Sequence, residues 1–181
     1  MAKATEILMS EHRGIERMLA ALERDVPKLE AGDASVVPVF VQGVDFLRGF
    51  ADRCHHHKEE QHLFPALKAK GVPVEGGPIA VMLQEHDQGR AYIRAMGAAI
   101  ARYQAGEQAA LKDLAAAASG YVQLLRAHIW KEDNVLFQIA DQALGAEEQQ
   151  SLAETFDRVE VEVMGVGTHE RYHKMLDSLA V

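Results

Sequence analysis

A pattern of histidine and glutamate occurs twice along the chain, in the same order and at nearly the same spacing. Each copy has a Glu-His pair, a His-x-x-x-Glu step and a Leu-Phe pair. The members are Glu11-His12, His55, Glu59 and Leu63-Phe64 in the first copy, and Glu85-His86, His128, Glu132 and Leu136-Phe137 in the second. The two histidines of a copy lie 43 residues apart in the first and 42 in the second. Two helical hairpins of this kind are what a buried two-metal site in a four-helix bundle requires.

The His-x-x-x-Glu step places both side chains on one helix face, because residues four apart lie about one turn from each other. The two steps are His55 to Glu59 and His128 to Glu132. In each step, the imidazole and the carboxylate can converge on one metal-sized volume. Apolar neighbours indicate that these faces are turned inward, and they are Leu63, Phe64, Leu124, Leu125, Ile129, Leu136 and Phe137.

Buried carboxylates need a compensating charge, which two divalent cations would supply to Glu59 and Glu132. An oxo or hydroxo ligand would take up the positive charge that remains. Imidazole and carboxylate donors without a thiolate favour iron or manganese over a structural zinc site, and zinc is the third candidate. We therefore expect two iron ions with an oxo or hydroxo bridge.

Each part of this pattern is ordinary when it stands alone. A lone histidine on a helix is usually a surface residue or a hydrogen-bonded core residue, and a single His-x-x-x-Glu pair is a common surface pairing. Repetition in matching order, with matching Glu-His pairs and Leu-Phe tails, is what favours a metal site over chance.

Apolar residues recur at three- and four-residue steps, which predicts amphipathic helices and an all-α fold. Helical segments are expected at 4–30, 35–70, 78–105, 107–143 and 146–179, the last of them interrupted at 164–167. Ser35 is a plausible N-cap of the second segment. We expect a four-helix bundle over residues 1–145, with a C-terminal helical extension at 146–181 packed on it.

Composition excludes several classes of function. The net charge is -8 and the basic residues are scattered, so no nucleic-acid partner is expected. The N-terminus lacks an apolar stretch of signal-peptide length, and no run approaches the roughly 20 apolar residues of a membrane span. One cysteine, Cys54, agrees with a reducing compartment. We expect a cytoplasmic protein without a membrane partner, and the pattern leaves the oligomeric state open.

The blocks HHHKEEQHLFP and HIWKEDNVLF, with the order His, His-x-x-x-Glu, His, His-x-x-x-Glu, resemble the hemerythrin-like (HHE cation-binding) family over about residues 5–143. The resemblance implies an antiparallel up-down four-helix bundle around a non-haem di-iron centre. It also implies a role for each matching residue. The terminal imidazole ligands would be His12, His55, His86 and His128, and the bridging carboxylates would be Glu59 and Glu132.

One position departs from the oxygen-carrying members, which have a further histidine one turn after the third-helix one. Here that position is Arg90. Residues that could supply a replacement donor are His56, Glu60 and Asp133 beside the two motifs, and His169 and Glu170 on the last segment. A register that uses His56 and Glu60 as the ligand pair is an alternative. The remaining histidines are expected to face solvent or the rim of the site, and they are His57, His62 and His173.

Two rival motifs are present. The sequence HERYH at 169–173 matches the zinc-protease pattern His-Glu-x-x-His, but only eight residues follow it, too few for a third ligand and a substrate cleft. Ferritin-like bundles use Glu-x-x-His, which Glu59 with His62 and Glu170 with His173 satisfy. The ferritin-like reading leaves the repeated histidines unexplained and ranks second.

A histidine-rich centre with two carboxylates has few anionic donors to stabilise high-valent iron. We therefore expect binding or sensing of dioxygen or nitric oxide. The alternative is an enzyme that turns over peroxide or nitric oxide, aided if Arg90 leaves a coordination position open. A third hypothesis is an iron-responsive interaction module, since metal binding and folding are linked.

Overall fold

The computed structural model describes residues 2–179, in which six helices follow one another and no strand occurs. The all-helical prediction is confirmed. The helices are α1 (Ala4–Glu30), α2 (Ala34–Ala69), α3 (Pro78–Gln104), α4 (Ala110–Lys131, continued by Glu132–Leu136 and Phe137–Ala143), α5 (Ala146–Val159, continued by Glu160–Met164) and α6 (Thr168–Ser178).

Two helix starts differ from the prediction. The N-terminal cap of α2 is Asp33, whose carboxylate accepts a hydrogen bond of 2.9 Å from the backbone N–H of Ser35, so the expected Ser35 cap is wrong. Helix α4 begins at Ala110 rather than at 107, because Ala110 N–H closes a turn onto the carbonyl of Glu107 at 3.1 Å. Both differences reflect local hydrogen bonds that periodicity does not report.

Two apolar clusters form the core. The larger includes Ile15, Leu22, Phe40, Phe50, Met96, Leu114 and Tyr121, and the smaller includes Leu8, Leu63, Phe64, Met82, Leu136, Phe137 and Phe156. Nonpolar burial of this extent is the main favourable term in folding. The polar residues of the repeated pattern lie between the two clusters along each of the first four helices.

The order of the clusters reverses from one long helix to the next. Along α1, Leu8 of the smaller cluster precedes Ile15 of the larger one. Along α2, Ala51 of the larger cluster precedes Leu63 of the smaller one. Helix α3 repeats the order of α1, and α4 repeats that of α2. Helix α4 packs on α1 and α3, while α2 packs on the same two helices.

The C-terminal helices lie against the first two. Helix α5 packs on α1 and α2, and α6 packs on α1. Tyr172 of α6 sets its ring edge-on to Phe46, with 5.4 Å between centroids, and its hydroxyl donates to the Asp45 carbonyl at 3.2 Å. The turn between α5 and α6 has Gly165 and Gly167 at φ 84° and 79°, where other residues are strained.

Helix α2 is long and apolar enough to cross a membrane, with a mean hydropathy of 1.2 over its most apolar stretch. Half of that stretch is buried inside the protein. Because core helices of soluble proteins meet the same criterion, this one helix is weak evidence for a membrane span.

Gly49 tests how tightly α6 is held against α2. A Cβ at Gly49 would lie 2.0 Å from the Tyr172 hydroxyl, so Gly49→Ala must displace Tyr172 and should cost about 1–3 kcal/mol. A Cβ at Gly14 would meet Leu176 at an ordinary 3.5 Å, so the matched variant Gly14→Ala should be neutral or stabilising. Chemical denaturation measures the free energy of unfolding of each variant. Hydrogen exchange of residues 168–178 shows whether the loss of stability lies in α6. Unchanged exchange in Gly49→Ala would contradict this packing.

Candidate metal centre

The layer between the two apolar clusters is polar, and its side chains are almost completely removed from water. It contains His12, His55, His56, His86, His128, Glu59 and Glu132, each 3% exposed or less. Burying so many ionisable groups is costly unless each of them finds a partner. The partners therefore decide what this layer can do.

The backbone of α2 and α4 widens into a π-helical turn at the two glutamates. Glu59 opens the turn Glu59–Leu63, and Glu132 opens the turn Glu132–Leu136. Turns of this type contain one extra residue and are frequent at functional sites. The repeat in the sequence is thus matched by a repeat in backbone geometry.

The buried side chains form two groups of potential ligands. In the first group, one donor atom from each of four residues lies within 4.8 Å of the others, and the residues are His12, His55, Glu59 and Glu132. In the second group, the same holds for His56, His86 and His128. The structure therefore brings together all six residues of the principal predicted set, and adds His56.

The two glutamates lie between the groups and face both of them. Glu59 places Oε1 3.6 Å from His55 Nε2 and Oε2 3.4 Å from His86 Nε2. Glu132 places Oε2 3.2 Å from Nε2 of both His12 and His128. Each carboxylate can thus serve both groups, which is the arrangement that two neighbouring cations require.

Several buried atoms of this layer have no hydrogen-bond partner within residues 2–179. Six of them are both carboxylate oxygens of Glu59, both of Glu132, and Nε2 of His12 and His55, and the seventh is Nδ1 of His56. Unpaired buried polar atoms are rare in folded proteins, and each calls for an explanation. A cation between the carboxylates and the imidazoles would satisfy all six, so the donor set fits bound metal.

The outward nitrogens of four histidines are each held by a carboxylate. Nδ1 lies 2.8 Å from Glu11 in His55, 2.7 Å from Asp133 in His12, 2.7 Å from Glu60 in His86 and 2.9 Å from Glu85 in His128. Because an ionised carboxylate only accepts, Nδ1 carries the proton and Nε2 faces inward, where Nε2 of His86 and Nε2 of His128 lie within hydrogen-bond distance of each other at 3.2 Å. We call Glu11, Asp133, Glu60 and Glu85 the outer carboxylates. Partners of this kind orient metal-binding histidines.

The outer carboxylates follow the repeat of the sequence. The glutamate of each Glu-His pair holds the histidine of its own His-x-x-x-Glu step, as Glu11 holds His55. The residue after each step glutamate holds a histidine of the other copy, as Glu60 holds His86. Glu60 and Asp133 are therefore placed outside the two groups, against outward nitrogens, and not in the His56–Glu60 ligand register.

Comparison with known proteins agrees with this geometry. The model of the hemerythrin HHE cation-binding domain matches residues 3–140. The chain belongs to this family. Uncharacterized proteins of Mycobacterium bovis and Mycobacterium tuberculosis are 30% identical over 154 residues, which is 85% of this chain and 60% of each relative. The chain thus spans less than two thirds of those relatives, and no solved structure matches it. Membership implies that this hemerythrin domain binds metal cations.

Two lysines that are not among the residues predicted from the sequence belong to the same network. Lys58 contacts Glu11 and also lies 2.7 Å from Glu160 of α5, while Lys131 contacts Glu85. The signal was available, since Lys precedes the step glutamate in both copies. The copies differ in burial, because the Lys58 side chain is 0% exposed and that of Lys131 is 32% exposed.

Proximity and burial shift the titration of the metal-free layer. Burial and the neighbouring Glu132 carboxylate raise the pKa of Glu59 well above its usual value. Burial also acts to raise the pKa of Glu132, but His128, His12 and His86 outweigh it and lower the pKa. Against the effect of burial, Glu132 and Glu85 raise the pKa of His128 to about 9. Without a metal, His128 therefore holds a proton at neutral pH, and the raised pKa of Glu59 favours its protonated form.

Arg90, one turn after His86 on α3, serves as an anchor for carboxylates. Its guanidinium donates to Asp52 at 2.8 Å and to the outer carboxylate Glu60 at 2.6 Å. The adjacent His56 is 3% exposed and lies with His86 and His128 in the second group.

The residues predicted on the last segment lie apart from the central layer. Glu170 is exposed, and the half-buried His169 packs on Phe50 with 5.3 Å between ring centroids. His169 also approaches Glu11 and Glu160, but Lys58 already supplies the cation between those two carboxylates. His57 and His62 are half-buried and His173 is exposed, in line with positions at the rim or in solvent.

Removal of the lysine charge should lower the free energy of unfolding more in the first copy, at Lys58, than in the second, at Lys131. Lys58→Met leaves the buried Glu11 without its cation, and breaking a buried pair costs about 3–5 kcal/mol. Lys131→Met breaks a pair that water reaches, so the expected loss is below about 1 kcal/mol. Urea denaturation of the two metal-free variants measures both losses. Equal losses would contradict the difference in burial.

Metal binding should release protons. His128, with a pKa of about 9, must lose its proton to act as a ligand, and the raised pKa of Glu59 acts in the same direction, so protons leave when metal binds at pH 7 and the metal affinity falls as the pH falls below about 9. Calorimetric titration with Zn²⁺ in two buffers of different ionisation enthalpy counts the protons. A binding heat that does not depend on the buffer would refute this expectation.

Proposed function

We propose that this hemerythrin domain is a non-haem di-iron protein that binds or senses dioxygen or nitric oxide. The observation that carries the proposal is the position of Glu59 and Glu132 between two groups of imidazoles, where their four oxygens lack a hydrogen-bond partner among the described residues 2–179. Two iron ions would supply redox-active binding of a small ligand. Manganese and zinc are the other metals that this donor set accepts.

The donor set supports binding more than oxidative attack. Five imidazoles and two carboxylates make up the two groups. Neutral imidazoles stabilise high-valent iron less than carboxylates do, so reversible chemistry is favoured. The outer carboxylates fix four of the five rings before any ligand arrives, which lowers the reorganisation that binding requires.

Burial restricts the ligand to a very small molecule. Every member of the two groups is 3% exposed or less, and two apolar clusters cover the layer on both sides. A diatomic molecule can reach such a site through small fluctuations of the packing, whereas a larger substrate would need the helices to separate. Dioxygen and nitric oxide satisfy this limit.

The architecture that we propose around the site is an antiparallel up-down four-helix bundle of α1 to α4. It is supported by the alternating order of the two apolar clusters along these helices. We propose that residues 1–145 form this domain and that 146–181 are an extension packed on it. A cytoplasmic location, without a nucleic-acid or membrane partner, completes the proposal.

Turnover of peroxide or nitric oxide at the same site is the second candidate. It is favoured by a surface cavity of about 240 Å³ whose lining includes Asp52, Glu60 and Arg90. This cavity reaches the outer carboxylate of His86, so a small molecule can approach the second group from this side. The guanidinium of Arg90 would attract an anionic reactant there.

Metal analysis and optical spectroscopy of the air-exposed protein test the proposal. We expect about two irons per chain with near-ultraviolet charge-transfer bands, and a spectrum that changes with dioxygen or nitric oxide and returns on degassing. Glu59→Ala should lose most of the iron because it removes a donor that faces both groups. His62→Gln, outside both groups, should keep it.

Other results would decide against this function. Zinc alone after iron-supplemented expression, or no metal with helicity intact, would refute the di-iron site. Steady peroxide consumption that depends on iron would favour the enzyme over the binding protein.

A further inference from the structure

We propose that His56 is a fifth imidazole ligand, positioned by Asp52, which Arg90 holds in place. The proposal rests on the metal site described above and identifies a donor that the repeated pattern does not contain. It also gives Arg90 a role, because Arg90 donates to the carboxylate that faces His56.

The surroundings of His56 favour ligation over packing. The ring is 3% exposed, and its Nδ1 has no hydrogen-bond partner within residues 2–179. One of its nitrogens lies within 4.8 Å of those of His86 and His128. The ring stacks on that of His86 with 3.8 Å between centroids and 14° between planes. His56 is thus aligned with an imidazole of the second group.

The repeat provides an internal comparison. The position of His56 in the first copy corresponds to Ile129 in the second, one residue after each step histidine. Ile129 is 3% exposed and belongs to the larger apolar cluster. An apolar side chain therefore fills this kind of position without leaving any polar atom unpaired. An imidazole here costs free energy for its buried Nδ1 unless that nitrogen gains a hydrogen bond, and a partner on Nδ1 leaves the other nitrogen to bind metal.

Asp52 is placed to act as the outer carboxylate of His56. Its Oδ1 lies 3.6 Å from Nδ1 of His56, close to hydrogen-bond distance, and accepts a hydrogen bond of 2.8 Å from Arg90. The other four histidines of the two groups have carboxylates at 2.7–2.9 Å from Nδ1. A small rotation of the ring on metal binding would bring His56 to the same arrangement.

Arg90 joins the outer contacts of the second group. One guanidinium binds Asp52 and Glu60, which face His56 and His86 respectively. A planar guanidinium can hold two carboxylates at fixed positions, which a lysine cannot do in the same way. Arg90 is therefore a positioning residue for two neighbouring imidazoles.

Counting the metal-bound imidazoles tests the proposal directly. The whole protein, with ¹⁵N-labelled histidine, is loaded with Co²⁺, and the hyperfine-shifted imidazole signals are counted by NMR. We expect shifted signals from His12, His55, His56, His86 and His128. Four shifted imidazoles in protein that holds two metals would overturn the role of His56 and leave the metal site standing. Wild-type protein that binds no metal would instead refute the proposed function.

Variants assign the extra signal. His56→Leu should remove one shifted imidazole and shift the optical spectrum of the iron-loaded protein, while the neighbouring control His57→Leu should change neither. Asp52→Asn leaves the ring in place and should weaken Co²⁺ binding about 10- to 100-fold, the usual effect of removing an outer partner. If His56→Leu fails to fold, the wild-type count and Asp52→Asn decide. A spectrum and a count unchanged in His56→Leu would overturn the proposal.

Discussion

Two buried carboxylates, Glu59 and Glu132, have no hydrogen-bond partner in the described part of the chain, residues 2–179, and the rest of the site depends on them. Carboxylates at this depth must meet protons or cations, because water cannot reach them. In the metal-free protein, burial and the neighbouring Glu132 raise the pKa of Glu59, which favours its neutral, protonated form. Bound metal would neutralise both carboxylates, so metal binding and protonation are expected to compete.

The outer contacts repeat the symmetry of the sequence, but the C-terminal helices break it. Lys58 is enclosed by α5, with Glu160 at 2.7 Å and the ring of Phe156 centred 5.7 Å from its Nζ. Lys131, the corresponding residue of the second copy, remains partly exposed. The network around His55 is thus sealed from water, whereas the network around His128 is open to it. Interactions between charged groups are therefore stronger in the half of the site around His55 than in the half around His128.

Much of the fold and of the principal ligand set was predictable from particular residues. The long amphipathic stretches predicted the helical fold, which has six helices and no strand within residues 2–179, and the repeated pattern identified six of the residues that the structure gathers into two groups. The lysines were missed because a charged residue in a helix is usually solvent-exposed. His169 was considered as a ligand because the path of the last segment cannot be derived from its own periodicity, and the structure places it beside Phe50.

The sequence alone determined which residues share a helix face, because the 3.6-residue period relates spacing directly to direction. That relation predicts that His55 and Glu59 share a helix face, and that His128 and Glu132 do so as well. Only the tertiary structure decided which carboxylate holds which imidazole, that Arg90 faces Asp52 and Glu60, and that α5 covers Lys58. These contacts join helices distant in sequence, so they depend on how the helices pack and not on the spacing within any one of them.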